Sequence, residues 1–142
     1  MEYRRGSHTV TAMSCHLVWV TKYRYHVLIG DVKFRVRKLV RQICAHHEVT
    51  IVQGHVSKDH VHILVASPPQ YSASYLMQKI KGRTSRVLQQ EFPHLRKRYW
   101  GQHFWARGYF SATVGVVTDD MIANYIASHN SKSPDDGFTL EP

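Results

Sequence analysis

Cysteine, acidic residues and long apolar runs are all scarce in this sequence. The two cysteines, Cys15 and Cys44, offer neither a disulfide framework nor the spacing of a zinc site, which favours a reduced compartment. No stretch approaches the ~20 apolar residues that span a bilayer, and the N-terminus lacks the apolar run of a signal peptide. We therefore expect a soluble, cytoplasmic protein.

The shortage of acidic residues leaves the chain strongly basic. Asp and Glu number 10 against 19 Lys and Arg, and the formal net charge of +9 predicts an anionic partner, nucleic acid or a membrane surface. The 11 histidines are many for this length, and histidine is a frequent metal ligand and proton shuttle. The length of 142 residues, 43% of them hydrophobic, fits one domain over residues 1–142. Residues 1–11 are a polar N-terminal arm and residues 132–142 a tail.

Apolar periodicity and turn residues divide the chain into strands and helices. Gly30-Asp31 opens the first helix, and the short connector 57–59 makes an antiparallel pair of the strands on either side. The predicted order is β-α-β-β-α-β-α: strand 12–22, helix from 30, strands 49–56 and 60–66, helix 72–91, basic loop 94–103, strand 104–117 and helix from 119. This is an α+β fold, a ferredoxin-like split β-α-β antiparallel sheet with an extra C-terminal helix.

Each predicted helix carries an apolar stripe that we expect to pack against the rest of the protein. Pro93 ends the second helix, and Thr118 caps the third, whose Asp119 and Asp120 suit its positive N-terminal end. In chain order the stripes are Phe34, Leu39, Val40, Ile43 and Cys44; Tyr75, Leu76, Ile80, Val87 and Leu88; and Met121, Ile122, Tyr125 and Ile126.

His60 and His62 are separated by one residue on a predicted strand. Side chains at i and i+2 of a strand share a face, so both imidazoles project side by side while Val61 and Ile63 take the other face. Two imidazoles on one strand form two corners of a metal site. A mixed set of histidine and oxygen ligands around an open position suits Mg²⁺ or Mn²⁺ acting on phosphate, although imidazole alone also accepts zinc. The alternative is a pair of half-exposed side chains with no ligand.

Tyr125 and His129 lie four residues apart, on one face of the last helix. A tyrosine on an apolar stripe is ordinarily a core residue, but beside a metal-bound phosphate its hydroxyl becomes a nucleophile. The ordinary pKa of tyrosine is about 10, so that role requires a nearby cation or base. His129 is a candidate third metal ligand, or else a solvated histidine near a helix C-terminus.

Basic side chains cluster in the second helix, in the loop after it and in the N-terminal arm. Four aromatic residues follow the basic segment of the loop: Tyr99, Trp100, Phe104 and Trp105. Aromatic rings close to positive charges favour the binding of single-stranded nucleic acid, because unpaired bases stack on the rings. The predicted DNA-binding residues are Lys79, Lys81, Arg83, Arg86, Arg96, Lys97, Arg98, Arg4 and Arg5.

Five strings of this sequence, in order, resemble one family: the single-tyrosine HUH transposases of the smallest bacterial insertion sequences, the IS200-like group. They are HLVWVTKYRYHVL from His16, DHVHILV from Asp59, KGRTSRVLQQEFPHL from Lys81, WGQHFWARGYFSATVG from Trp100 and IANYIASHN from Ile122. The likeness covers roughly residues 12–130.

This resemblance implies a transposase that cleaves and rejoins single-stranded DNA. By position, His60 and His62 match the paired metal ligands, and Tyr125 matches the nucleophile that forms a 5′-phosphotyrosine and leaves a free 3′-hydroxyl. His129 stands where the family usually has a glutamine as third ligand, a departure that affects metal preference and pH dependence. Asn130 is an alternative oxygen donor. The implied cofactor is Mg²⁺ or Mn²⁺.

The resemblance also implies partners. Family members recognise subterminal DNA hairpins and form homodimers with shared active sites, in which each site combines the histidines of one subunit with the tyrosine helix of the other. The predicted strand 104–117 is then the natural pairing element, because an edge strand exposes unpaired backbone groups. No membrane partner is implied.

Two other interpretations are compatible with this sequence. A domesticated relative that acts on chromosomal repeats would share the same chemistry. A non-catalytic or degenerate single-stranded nucleic-acid-binding protein of the same fold, unable to cleave because of His129, would keep only the basic and aromatic surface.

Overall fold

The seven predicted strands and helices follow one another in the predicted order, and two short strands near the N-terminus and a short helix are added to them. The computed structural model describes residues 4–5, 10–11, 14–113 and 119–129, with side chains from residue 14 onward. The strands are β1 (Arg4–Arg5), β2 (Val10–Thr11), β3 (Ser14–Val20), β4 (Thr50–Val56), β5 (His60–Ala66) and β6 (Phe110–Thr113). The helices are α1 (Gly30–His46), α2 (Ala73–Glu91), α3 (Pro93–Arg98) and α4 (Asp119–Ala127), and a 3-10 turn covers Lys22–Arg24.

Four of the strands form one antiparallel sheet in the order β4-β5-β3-β6. The first strand of this sheet, β3, lies between β5 and β6, which is the order of a ferredoxin-like split β-α-β sheet. His62 of β5 faces Val18 of β3, and Val18 faces Phe110 of β6. The predicted fold class is therefore confirmed.

One face of the sheet is covered by α1 and α2. Leu17 and Trp19 of β3 and Val61, Ile63 and Val65 of β5 are at most 3% exposed and belong to a single core cluster. These residues alternate along their strands, as a sheet with one buried face requires. The helices contribute the other half of the core through Val32, Val36, Leu39, Val40, Ile43, Leu76, Met77, Ile80 and Leu88.

The opposite face of the sheet carries histidines and is approached by α4. Tyr125 of α4 contacts Phe110, with ring centroids 5.6 Å apart. Because Phe110 is in register with Val18 and His62, all three residues lie on one face. Helix α4 is thus on the same side of the sheet as the predicted metal-binding pair.

The predicted strand 104–117 is wrong at its start. Phe104 and Trp105 are buried in the core, Trp105 makes only an isolated bridge to Thr21, and β6 begins at Phe110. Gly108 separates the two parts, with a φ of 83° that glycine adopts without strain. Residues 114–118 lie outside the described residues, and with them the predicted cap Thr118.

The segment predicted as a basic loop contains a helix. Pro93 is the first residue of α3, where its missing N–H costs nothing and its fixed φ is already helical. The same proline therefore ends α2 and starts the next turn of helix.

In the N-terminal arm, β1 and β2 pair with each other, and the tail 132–142 lies outside the described residues.

Three residues of the predicted apolar stripes are exposed, and the prediction is wrong for them: Phe34, Tyr75 and Met121, the last of which is 39% exposed on α4. Phe34 is 67% exposed, because positions 32, 36, 39, 40 and 43 define the buried side of α1 and position 34 faces away from it. Tyr75 is 37% exposed at the start of α2 and stacks on Tyr71.

None of the helices in the described ranges is long and apolar enough to cross a membrane.

Replacing Thr84 by Val should destabilise the protein by about 1–3 kcal/mol, because a buried donor loses its acceptor. The indole N–H of Trp105 donates to Thr84 Oγ1 at 2.8 Å, and this bond ties α2 to the segment before β6. Urea unfolding measures the loss. Ser74→Ala, at an exposed position of the same helix, is the control. A Thr84→Val protein as stable as wild type would contradict this account.

Candidate functional site

Four histidines lie on the open face of the sheet, on three neighbouring strands. His60 and His62 project from β5, His55 faces His62 from β4, and His16 lies on β3 diagonally across from His62. The predicted placement of His60 and His62 on the face opposite Val61 is confirmed: both histidines are half-buried, whereas Val61 is buried. The alternation of side chains along each strand is sufficient to place these imidazoles on the open face of the sheet.

His60 is held by a carboxylate. Its Nδ1 lies 2.8 Å from Asp59 Oδ1, while the other carboxylate oxygen accepts a hydrogen bond from Arg24 Nε at 3.0 Å. Burial by itself would raise the pKa of Asp59, but the hydrogen bonds from His60 and Arg24 outweigh it and the pKa is lowered. Asp59 is therefore ionised at neutral pH, and the Nε2 side of His60 is left for a ligand.

His62 has an imidazole as its neighbour instead. Its Nε2 lies 2.9 Å from Nδ1 of His16, so one of these nitrogens carries the hydrogen and the other accepts it. Burial lowers the pKa of His62, the neighbouring imidazoles of His16, His60 and His55 lower it further, and Asp119 opposes them. His62 is therefore neutral near pH 7, the form in which imidazole binds metal ions.

Tyr125 is on the correct face of the sheet, but its hydroxyl is sheltered. The hydroxyl oxygen is buried, and no hydrogen-bond partner for it exists in the described part of the chain. Burial raises the pKa of Tyr125 to about 12. Among the described residues, no cation or base is hydrogen-bonded to the phenol.

His129 does not join the other histidines. Its ring lies 4.6 Å from that of Tyr125, and its Nδ1 is 3.0 Å from the Tyr125 carbonyl oxygen. Asp119, the first residue of α4, precedes His129 by ten residues, which is about 15 Å along a helix axis. Within residues 14–113 and 119–129, no three His, Cys, Asp or Glu side chains are grouped so that they could hold a metal ion.

Comparison with known proteins identifies relatives over nearly the whole chain. The family model "Transposase IS200 like" matches residues 9–129. The ISDra2 transposase TnpA of Deinococcus radiodurans is 31% identical over 132 residues, which cover 93% of this chain and 94% of that protein. The transposase for insertion sequence element IS200 of Salmonella typhimurium is 34% identical over 120 residues, covering 84% and 78%. This chain belongs to the IS200-like transposase family.

Solved structures agree with this membership. A crystal structure from D. radiodurans R1, described as that of a transposase, matches with a TM-score of 0.82 and 31% identity over 89% of this chain and 97% of that one. A REP-associated tyrosine transposase bound to a REP hairpin matches with a TM-score of 0.54 and 14% identity over 87% and 67%, a likeness of fold alone.

The basic residues predicted to bind DNA fall into separate places on this transposase. Lys79, Arg83 and Arg86 line a groove of about 750 Å³ between α1 and α2, together with Gln42, Ile43, His46, His47, Gln78 and Gly82. We call this the α1–α2 groove. Lys81 is on another side of the helix, where its Nζ donates to the carbonyls of Ala106 and Gly108 at 2.8 and 2.7 Å.

The remaining predicted DNA contacts lie elsewhere. Arg96, Lys97 and Arg98 are exposed on α3, and the guanidinium of Arg98 lies 3.9 Å from the centre of the Tyr25 ring. Arg4 and Arg5 form β1, and their side chains lie outside the described residues.

Three of the four aromatics predicted to stack on bases are buried instead. Tyr99, Phe104 and Trp105 belong to the core, at most 5% exposed. The prediction is wrong for them, because their spacing fits the packing of this segment against Trp19 and α2. Trp100 is 86% exposed and has a left-handed backbone conformation, with a φ of 58°.

Sequence reasoning missed the residues that contact the histidine pair. Asp59 immediately precedes His60, and a carboxylate next to a candidate ligand was a signal that could have been used. Arg24 and His16 gave no such signal, because they are 35 and 46 residues away from their partners.

The metal-free protein should lose stability as the pH falls below about 6.5, the ordinary pKa of histidine. The pKa of His62 is lower in the folded protein than in the unfolded chain. Below about pH 6.5 the unfolded chain therefore binds a proton that the folded protein does not bind, and the free energy of unfolding decreases. Urea unfolding at pH 7.5 and 5.5 in chelator measures the loss.

His62→Gln should reduce this pH dependence, and His94→Gln, at an exposed position, should leave it unchanged. An identical pH dependence in wild type and His62→Gln would show that other groups cause it.

Proposed function

We propose that this transposase cleaves and rejoins single-stranded DNA through a covalent bond between Tyr125 and a 5′-phosphate. The observation that carries the proposal is the shared sheet face: His60 and His62 project from β5 on the side where α4 presents Tyr125. Family membership supports it, because the relatives that match most of the chain are transposases.

The surroundings of His60 fit a divalent metal ion. A ligating histidine commonly donates its second ring N–H to a carboxylate, and Asp59 stands in that position. His60 and His62 would hold Mg²⁺ or Mn²⁺, with His129 as the candidate third ligand. When bound, such an ion draws charge from the non-bridging phosphate oxygens and stabilises the crowded transition state.

The chemistry of the tyrosine conserves the energy of the broken bond. The phenol of Tyr125 loses its proton, its oxygen bonds to phosphorus, and the bond from phosphorus to O3′ breaks as O3′ takes up a proton. A 3′-hydroxyl that attacks the phosphotyrosine reverses these steps and frees Tyr125, so that rejoining needs no nucleotide cofactor. Attack by water would instead make the protein a nuclease.

This reaction requires Tyr125 and His129 to leave the position that they occupy in a single chain. The buried hydroxyl, with its pKa of about 12, has to reach a metal-bound phosphate. We propose a homodimer in which α4 of one subunit completes the histidine pair of the other. The edge of β6 supports this arrangement, since β3 pairs with one side of β6 and no described strand pairs with the other.

DNA hairpins are the proposed partner of the α1–α2 groove. Lys79, Arg83 and Arg86 offer three positive charges along one side of a helix, a pattern suited to the phosphates of a duplex stem. A structural relative was solved with a REP hairpin bound, which agrees with this proposal. Trp100, exposed next to the basic helix α3, is the candidate for stacking on an unpaired base.

A degenerate nucleic-acid-binding protein is the second candidate. The sheltered hydroxyl of Tyr125 and the distance of His129 from the other histidines favour it. It shares the basic groove with the first candidate but forms no covalent intermediate, so a test for the intermediate decides between them.

Incubation with hairpin-bearing single-stranded DNA and Mn²⁺ should give a covalent adduct on a denaturing gel. Tyr125→Phe should abolish the adduct and leave DNA binding intact, because only the attacking oxygen is removed. Tyr109→Phe, a half-buried tyrosine near β6, is the matched control and should keep it. An adduct that survives Tyr125→Phe would place the nucleophile elsewhere.

The same assay tests the metal. His60→Ala, His62→Ala or excess chelator should remove the adduct with a small loss of DNA affinity, whereas His129→Gln should keep it or increase it. Full activity in chelator would contradict a metal-dependent reaction. Absence of an adduct from wild type, with tight hairpin binding, would support the degenerate protein.

Neutralising the groove should weaken hairpin binding in a salt-dependent way. Replacement of Lys79, Arg83 and Arg86 by Gln should reduce the slope of log affinity against log salt by about 2–3, roughly 0.9 for each phosphate that a side chain no longer neutralises. Fluorescence anisotropy at several salt concentrations measures it. The control replaces three lysines outside the groove, Lys33, Lys38 and Lys58; an equal change in both triple variants would refute the groove as the binding surface.

A further inference from the structure

We propose that Asp59 and Arg24 are positioning residues that keep the hydrogen of the His60 ring on Nδ1 and so present a free Nε2 lone pair to the open face of the sheet. This inference deepens the proposed function and rests on it in one respect, the role of His60 as a metal ligand. The orientation and tautomer of the ring are properties of the protein alone, without metal or DNA.

A backbone hydrogen bond holds Asp59 in place independently of its side chain. Its carbonyl oxygen accepts from the amide of Thr21 at 2.9 Å. Thr21 directly follows β3 and is fully buried. The connector between β4 and β5 is therefore attached to the end of the central strand, immediately before the first histidine.

The carboxylate of Asp59 divides its two oxygens between two partners. Oδ1 is 2.8 Å from Nδ1 of His60, and Oδ2 accepts from Nε of Arg24 at 3.0 Å. The Asp59 side chain is 8% exposed, and that of His60 is 19% exposed. A further histidine, His26, has its Nε2 3.9 Å from Oδ2. A carboxylate in this position can only accept, so Nδ1 of His60 has to donate.

Arg24 reaches Asp59 from an unusual turn. Tyr23 and Arg24 both have left-handed backbone conformations, with φ of 63° and 53°. Residues other than glycine keep such conformations only where the surrounding structure imposes them. Here the Thr21 hydroxyl donates to the carbonyl of Tyr25, and the Tyr25 ring is packed against Tyr99 and Arg98. The turn is thus locked with the guanidinium directed at Asp59.

The consequence is a defined tautomer. In a neutral imidazole one nitrogen donates and the other accepts, and the hydrogen bond at the first decides which of them can bind a metal ion. Donation from Nδ1 to Asp59 leaves the lone pair on Nε2. His62, in contact with His16 instead of a carboxylate, lacks this constraint. Asp59 and Arg24 therefore act on one of the two proposed ligands only.

Asp59→Asn provides a sharp test because it keeps the shape of the side chain. Arg24 can only donate, so the amide oxygen of Asn should turn to Arg24 and the NH₂ group to His60. Nδ1 of His60 then has to accept, and the hydrogen moves to Nε2. A similar exchange of carboxylate for amide in a serine protease triad produces the wrong histidine tautomer.

The measurement is a long-range ¹⁵N–¹H correlation spectrum of the histidine rings in the metal-free protein, with His60 assigned by comparison with His60→Gln. We expect the wild type to show hydrogen on Nδ1 and Asp59→Asn to show it on Nε2. The affinity for Mn²⁺, measured from the free-ion electron paramagnetic resonance signal, should fall about 10–100-fold in Asp59→Asn. Amide spectra of the same samples show that each variant is folded.

Arg24→Leu removes the group that holds the carboxylate but keeps the acceptor. It should retain the hydrogen on Nδ1 and lose less Mn²⁺ affinity than Asp59→Asn. Arg35→Leu is the matched control, because Arg35 makes a comparable pair with Glu91, at 2.7 Å, on the surface of α1 and α2. It should change neither readout.

Two results would overturn the inference: hydrogen on Nε2 of His60 in the wild type, or an unchanged tautomer in Asp59→Asn. Both are read without metal, DNA or cleavage. A wild type with the expected tautomer but no covalent adduct would refute the proposed function and leave the role of Asp59 standing.

Discussion

The alternation of side chains along β5 is the constraint on which both the core and the site depend. Val61, Ile63 and Val65 are buried against α1 and α2, so His60 and His62 have to project from the opposite face. A register slip of one residue would place imidazoles in the core and valines on the open face. Because β5 is paired along its whole length with β3 and along most of it with β4, the strand has little freedom to slip.

The same sheet separates two surfaces that a DNA substrate would use. The α1–α2 groove is in the helical layer, whereas the histidine pair is on the other face of the sheet. Under the proposed function, a DNA molecule bound in the groove has to pass around an edge of the sheet to bring a phosphate to His60. The loop before β6, which Lys81 holds through the carbonyls of Ala106 and Gly108, lies at one such edge.

In the single chain the hydroxyl of the candidate nucleophile Tyr125 is buried, whereas the imidazole ring of the candidate metal ligand His60 is already oriented. Tyr125 is packed on Phe110 with its hydroxyl buried, while Asp59 holds His60 in a hydrogen-bonded position. A phenol with a raised pKa is a poor nucleophile, so the arrangement of one chain is unreactive. Under the proposed function, cleavage would then require the DNA and the partner subunit of the proposed homodimer.

The order of elements and the histidine pair were determined by the sequence alone, because strand alternation, helical periodicity and the residues at turns are local properties. The exposure of Phe34, Tyr99, Phe104 and Trp105 was predicted wrongly, since exposure depends on what packs against a residue and composition does not show it. Tertiary structure alone joined Arg24 to Asp59 and His16 to His62, and it buried the hydroxyl of Tyr125. Those contacts join residues far apart in the chain, and only the folded sheet, with its packed turn and last helix, brings them within hydrogen-bonding distance.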